Sequence, residues 1–217
     1  MTIFFEETLT KMNNRLQKLD KSFERYLLSD EKYKCIDRYS LQEGLISSLW
    51  QTWCYFCREI LIGSIKGGVT TRGINVSSSY FAHTEREIIY LAGRFSQGVT
   101  NVNGITIRSA PAHFELTWGD AVKLNPIISA FNPTNVNDIL SGLGGITLLL
   151  DLQKFRNANA HITAFTINDV KNAQVRYSNT KFRHPSDTMF WVDPLTNDYL
   201  WRSWIEEMEI TGNKLAS

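Results

Sequence analysis

Six consecutive residues, Arg156-Asn157-Ala158-Asn159-Ala160-His161, set a permanent cation and a group that titrates near neutrality five positions apart. A guanidinium presents a fixed fork of donors that can hold a phosphate or a developing phosphorane, and an imidazole can pass a proton at pH 7. Together they suit phosphodiester chemistry, with Arg156 stabilising charge and His161 moving a proton. Asn157, directly after the Arg, could orient a phosphate or cap a helix. Against this stands a plain structural reading, in which Arg156 caps a helix C-terminus and His161 is a core residue.

The segment leading into these residues follows Gly144-Gly145 and carries Leu148, Leu152 and Phe155 at i, i+4 and i+7, the spacing of a buried helix face. On an ideal helix, residues five apart diverge by roughly 140°, so Arg156 and His161 would not converge on a straight rod. The two Asn residues between them have low helix propensity and compete for backbone hydrogen bonds, which predicts a helix end or kink. Such an end would let both side chains face one cleft, or face a second copy of the same site across a dimer axis.

Upstream, Phe5, Leu9, Met12, Leu16, Leu19, Phe23 and Tyr26 step alternately by four and three, an apolar heptad seam on a helix from about residue 3 to 28. So short a seam is marginal alone, and packing within the same chain is the preferred reading, with a dimer role open. A second long helix is expected from about Arg38 to Ile65. Leu45, Leu49, Trp53, Phe56 and Ile60 form one stripe and Ile46, Trp50, Cys57 and Leu61 the adjoining one, broad enough for burial on two sides. Glu43 and Arg58 on this helix return to within about 60° of each other; they either flank a site or are surface charges.

Residues 67–80 and 97–113 read as loops with short β segments. Between them Thr84-Glu85-Arg86-Glu87 has capping-box spacing ahead of Ile88, Ile89, Leu91 and Phe95. Further helices are expected to start near Thr117 and near Thr134 or Asn135, punctuated by Pro126 and Pro133. A last amphipathic helix from about residue 196 to 212 carries Leu200, Trp201, Ile205 and Met208. With no internal repeat or interdomain linker, residues 1–217 are expected to form one all-α domain, with an N-terminal heptad helix over 1–30 and a core over about 31–200.

Of the 217 residues, 43% are apolar and 21% charged, an ordinary globular mixture able to bury a core. No apolar run approaches the ~20 residues that span a bilayer, and Met1-Thr2-Ile3-Phe4-Phe5-Glu6-Glu7 lacks a basic n-region; the expectation is a cytoplasmic protein with no membrane partner. Three cysteines, Cys35, Cys54 and Cys57, fit a reducing compartment better than a disulfide framework. Cys54 and Cys57 have the spacing of half a zinc or redox site, but no second pair follows at ligand spacing, so burial as small hydrophobes is preferred. Acidic residues are scattered as well, which argues against a metal nuclease, and neither metal nor cofactor is expected. The net charge of +1 shows no basic footprint. Its distribution says more: Lys171, Arg176, Lys181, Arg183 and His184, interleaved with Tyr177 and Phe182, could hold RNA phosphates and stack bases, or form a solvated surface loop.

The pattern Arg-Asn-x-x-x-His late in a helical chain resembles the signature of the HEPN superfamily, helical proteins many of which are metal-independent ribonucleases. More specifically, Leu49-Trp50-Gln51-Thr52-Trp53-Cys54-Tyr55-Phe56-Cys57-Arg58-Glu59 followed by Gly67-Gly68 looks like the bacterial RiboL-PSP-HEPN subgroup, associated with RNA-processing or defence loci. The resemblance covers about residues 30–200. It implies a HEPN-like bundle of long antiparallel helices with irregular or short β insertions, and an endoribonuclease in a toxin or antiviral setting. The RNA 2′-OH would be the nucleophile, His161 the general base or acid, and Arg156 the stabiliser of the phosphorane. Transesterification needs both an acid and a base, so the resemblance also implies a homodimer apposing two Arg156/His161 pairs, together with an antitoxin or defence-system partner. Some toxins of the family carry a Tyr two residues after the His that a partner enzyme modifies; Thr163 stands there, and that regulation is not implied. The competing expectation is a catalytically silent HEPN-like module that binds nucleic acid, nucleotide or a partner protein through the same cleft.

Overall fold

The computed structural model describes residues 2–29, 35–99, 102 and 105–217, with Cys35 described through its backbone alone. Among these residues the chain is mainly helical, with one small sheet, and no helix is long and apolar enough to cross a membrane. The chain packs as two compact units: Met1–Lys11, Cys54–Gly145 and Thr211–Ser217 form one, and Met12–Trp53 with Ile146–Ile210 form the other. Helices α1 (Phe5–Leu27), α2 (Cys35–Lys66) and α8 (Leu200–Ala216) each contribute to both.

In the first unit, β1 (Ile3–Phe4) pairs in parallel with β2 (Gly68–Val69), which pairs antiparallel with β3 (Asn75–Val76). The two expected strand pieces after α2 are therefore present, whereas β1 replaces the start expected for the first helix, because Ile3 and Phe4 give their backbone to Gly68 and Val69. Stretch 97–113 shows no strand among its described residues. Helix α3 (Glu85–Ser96) opens with the expected capping box of Thr84 and Glu87. Helix α4 (Ala121–Phe131) starts three residues later than Thr117, where Asp120 accepts hydrogen bonds from the backbone of Val122 and Lys123. Pro126 lies inside α4 on its exposed side, where water can take the carbonyl a proline cannot serve. Helix α5 (Val136–Gly144) follows Asn135, whose amide donates to the buried Ser64 hydroxyl.

The second unit holds most of α1, the first part of α2, α6 (Leu148–Ala160), α7 (Ala164–Ala173), 3-10 turns at Gln174–Tyr177 and Pro185–Phe190, and most of α8. All seven residues of the heptad seam are buried inside this chain. Phe23 shows what the seam meets: Phe190 and Trp201 stack on it at 5.7 and 5.2 Å, and Tyr199 meets it edge-on at 5.5 Å. Helix α7 is an element that periodicity did not announce. Thr163 and Thr166 make its capping box, while its buried residues are only Val170 and Ala173 and Phe165 stands exposed, so no apolar stripe marks it.

Helix α6 carries the Arg/His sequence, and both its ends are explained locally. At its start the Glu207 carboxylate of α8 accepts from the backbone N–H groups of Thr147, Leu148 and Leu149 at 3.0, 3.1 and 2.6 Å, three donors that a helix N-terminus leaves unpaired. Leu149, Asp151, Leu152, Phe155 and Ala158 form its buried face; Leu148, expected on that face, is half-buried. At its far end His161 has extended backbone (φ −144°, ψ 94°), so the helix ends between Arg156 and His161 as the two Asn residues predict.

Candidate active site

Two helix faces of the second unit enclose a cavity of about 300 Å³. Helix α2 lines it with Ser40, Glu43, Gly44 and Ser47, and α6 with Arg156, Asn159 and Ala160. Each set recurs at three- and four-residue steps, so each occupies one side of its helix. The space exists because the residues are small: a Cβ added at Gly44 would meet no atom within 4 Å.

The polar groups at this cavity are not paired in the way buried groups normally are. Arg156 donates from Nη1 to Asn157 Oδ1 at 3.3 Å, but its Nε is buried with no hydrogen-bond partner. Both amide atoms of Asn159 are buried and unpartnered as well. No carboxylate lies within ion-pair distance of Arg156 among the described residues. A positively charged donor, an amide and two serines therefore surround a space able to take an oxyanion bearing hydroxyl or ester neighbours.

Glu43 supplies the opposite charge, and it is held from behind. Its Oε1 lies 3.3 Å from Nε2 of His184. The imidazole stacks on Tyr39 with ring centroids 4.2 Å apart, and its Nδ1 lies 2.7 Å from the Ser186 hydroxyl. The buried Ser186 hydroxyl donates to Gln42 Oε1 at 2.6 Å, and the buried Gln42 amide donates to the Tyr26 hydroxyl at 2.6 Å. This line of contacts runs from Tyr26 on α1 to Glu43, so a single orientation of the carboxylate is supported by packed groups on either side of the imidazole.

Several sequence-based expectations need correction. His161 does not converge on the cavity with Arg156. The extended backbone at the end of α6 leaves it exposed, next to the lining residue Ala160, with no hydrogen bond or ion pair from its ring among the described residues. Arg58 is not a neighbour of this site but belongs to the first unit, where its guanidinium meets Glu59, Glu85 and Glu115 at 2.9, 2.5 and 3.3 Å. Arg86 joins the same cluster through Glu115. Arg176 is not available to phosphate either, because both its Nε and Nη2 bind the buried Asp151. Tyr177 is buried, with Phe182 packed edge-on to it, and neither ring is free to stack bases. Lys181 and Arg183 remain exposed without an acidic partner among the described residues. Asn157 accepts from Arg156 and orients it. Cys57 is buried, which pushes its thiol up, Cys54 is half-buried, and among the described residues no group of three or more His, Cys, Asp or Glu could hold a metal.

The sequence reading passed over Ser40, Ser47, Asn159 and His184. A signal was present for the first three: Ser40, Glu43, Gly44 and Ser47 make a polar stripe on a helix otherwise apolar on two sides, and Asn159 sits one turn from Arg156. His184 is brought to Glu43 from far along the chain, and nothing local marks it. Compared with known proteins, the chain matches no family model, no curated protein and no solved structure.

Proposed function

We propose that this protein is a metal-independent endoribonuclease of the HEPN type, acting in a toxin, phage-defence or RNA-processing setting. The observation that carries the reading is the buried, unpartnered Nε of Arg156 beside the unpartnered amide of Asn159, opening on a cavity across from Glu43. A non-bridging phosphate oxygen would satisfy the Arg156 donor, and Asn159 offers a donor and an acceptor to the neighbouring ester and ribose hydroxyl. The substrate carries its own nucleophile, the 2′-OH, so the protein needs to hold the phosphate and move protons. His161, exposed at the rim, meets a chain lying across the mouth of the cavity, and the unpaired cations of Lys181 and Arg183 are open to further phosphates.

The test is incubation of the purified protein with total RNA in EDTA, beside Arg156→Ala and His161→Ala. The reading expects fragments ending in 2′,3′-cyclic phosphate from the wild type and none from either variant. The exposure of His161 away from the cavity favours a second reading, a module that binds RNA or nucleotide through Arg156 and Asn159 without cutting it. That outcome would show as RNA binding lost in Arg156→Ala with no cleavage by the wild type.

A further inference from the structure

A single chain places one imidazole, His161, at the rim of the cavity, yet strand cleavage by the 2′-OH needs one group to take a proton and another to give one. We infer that Glu43, held in place by His184, is the second proton-transfer group, so that one chain carries both roles without borrowing His161 from another copy. The inference rests on the ribonuclease reading above and concerns how that site is completed.

Glu43 is the carboxylate in the lining of the cavity, on the wall facing Arg156 and Asn159. A surface glutamate ordinarily samples many rotamers and would lose that freedom at the moment of reaction. Here the freedom is already restricted: Oε1 meets His184 Nε2 at 3.3 Å, and the ring is fixed by stacking on Tyr39 and by Ser186 at its other nitrogen. Oε1 is engaged by His184, which leaves Oε2 for the substrate. The charged or titratable groups facing Glu43 are His184 from the Pro185–Phe190 turn and Arg156 from α6. Arg38, one turn earlier on α2, lies over the Tyr39 ring at 5.6 Å.

The step balances with groups the chain supplies. The Glu43 carboxylate takes the proton of the 2′-OH as the O2′–P bond forms. The P–O5′ bond breaks, and the departing O5′ takes a proton from protonated His161, while Arg156 and Asn159 hold the non-bridging oxygens. Glu43 is the catalytic residue in this scheme and His184 is a positioning residue that acts through it.

His184 also caps the turn that follows it, since its Nδ1 accepts from the Ser186 backbone at 3.2 Å. His184→Asn separates the two roles: Asn is a favoured N-cap and keeps that contact, but it is too short to reach Glu43. We expect Glu43→Gln to lower kcat by about 10²–10⁴-fold with KM little changed, and His184→Asn to lower kcat by up to about 10²-fold through misplacement of the carboxylate. The double variant should be no worse than Glu43→Gln alone, because His184 acts only through Glu43. The rate per chain should also hold steady on dilution into the range where sedimentation shows monomers. Cleavage that survives Glu43→Gln but not Arg156→Ala overturns the inference and leaves the ribonuclease reading standing. So does full additivity in the double variant, or a rate per chain that falls as copies dissociate. A wild type that leaves RNA uncut overturns the ribonuclease reading and this inference with it.

Discussion

Arg176 reaches Asp151 with two parallel donors, Nε to Oδ2 at 2.7 Å and Nη2 to Oδ1 at 2.5 Å, and so ties the turn after α7 to the middle of α6. Asp151 has no exposed side-chain surface, yet it also accepts from Lys154 at 3.1 Å and from the Tyr177 hydroxyl at 2.9 Å. Burial alone would raise its carboxyl, but these hydrogen bonds outweigh burial and hold it below the usual carboxylate range. Desolvation and the nearby Asp151 charge push the Tyr177 phenol up, which keeps it a donor.

A pH dependence follows from that depression. A carboxyl whose folded pKa lies below its unfolded value of about 3.9 contributes stability that is present above that pH and is lost as pH falls through the folded value. Asp151→Asn should therefore destabilise the protein near neutrality, by on the order of 2 kcal/mol. The difference in melting temperature between wild type and variant should shrink as the pH is lowered from 5 toward 2. A gap that stays constant over that range would show that the ionised form of Asp151 is not what stabilises α6.

Glu207 is the second anchor of the same helix. Its carboxylate serves three backbone donors and the Thr147 hydroxyl, and it places negative charge at the positive end of the helix dipole. Thr147 itself makes no side-chain cap, so nothing local replaces it. Glu207→Ala should cost about 1–2 kcal/mol, in the upper part of the range for a lost cap, with Glu207→Gln intermediate. Chemical denaturation would measure it, and a variant as stable as wild type would mean that water satisfies those amides equally well.

The residues that were legible from sequence are those whose structure is set by near neighbours. The heptad seam of α1, the two-sided burial of α2 and the Thr84–Glu87 box each depend on spacing along a single element, and each is present. Arg176 shows the opposite case: it sits in a basic stretch that reads as solvent-facing, and its partner Asp151 is 25 residues away on a helix face that reads as apolar. Strand β1 was hidden for the same reason, since Ile3 and Phe4 fit the helix pattern and are strand only because Gly68 and Val69 lie alongside. Arg156, Glu43 and the helix end before His161 could be named in advance, whereas His184 behind Glu43 could not, because that pairing is made by the fold.

The close approach of Phe5 to the α2 end gives a steric prediction. A Cβ at Gly63 would lie 2.6 Å from Phe5 Cε1 and 3.2 Å from Ile3 Cγ2, and one at Gly68 would meet the same ring at 2.6 Å. Phe5 is fully buried and cannot swing into solvent without emptying its site. Gly63→Ala should destabilise by about 1–3 kcal/mol through overpacking. The same substitution should cost less in a Phe5→Leu background, where the ring edge is gone. Equal costs in both backgrounds would move the source of the effect away from Phe5.

The orphaned polar atoms of the cavity make the last prediction, because a site built for a ligand holds groups that the empty fold does not satisfy. An unsatisfied buried donor or acceptor costs about 1–3 kcal/mol, and Asn159 carries one of each. Asn159→Ala removes both while deleting little packing on a wall that already opens on free space, so it should leave the melting temperature unchanged or raise it. The same change should weaken the stabilisation that a bound nucleotide or short RNA confers on the wild type, which grows as RT ln(1 + [L]/Kd). Thermal melts with and without a non-cleavable 2′-deoxy oligonucleotide would measure both effects on one sample. Loss of several kcal/mol in the empty protein would make Asn159 a structural residue and remove it from the site; a raised melting temperature together with a lost ligand response is the pattern expected of a residue kept for binding at the expense of stability.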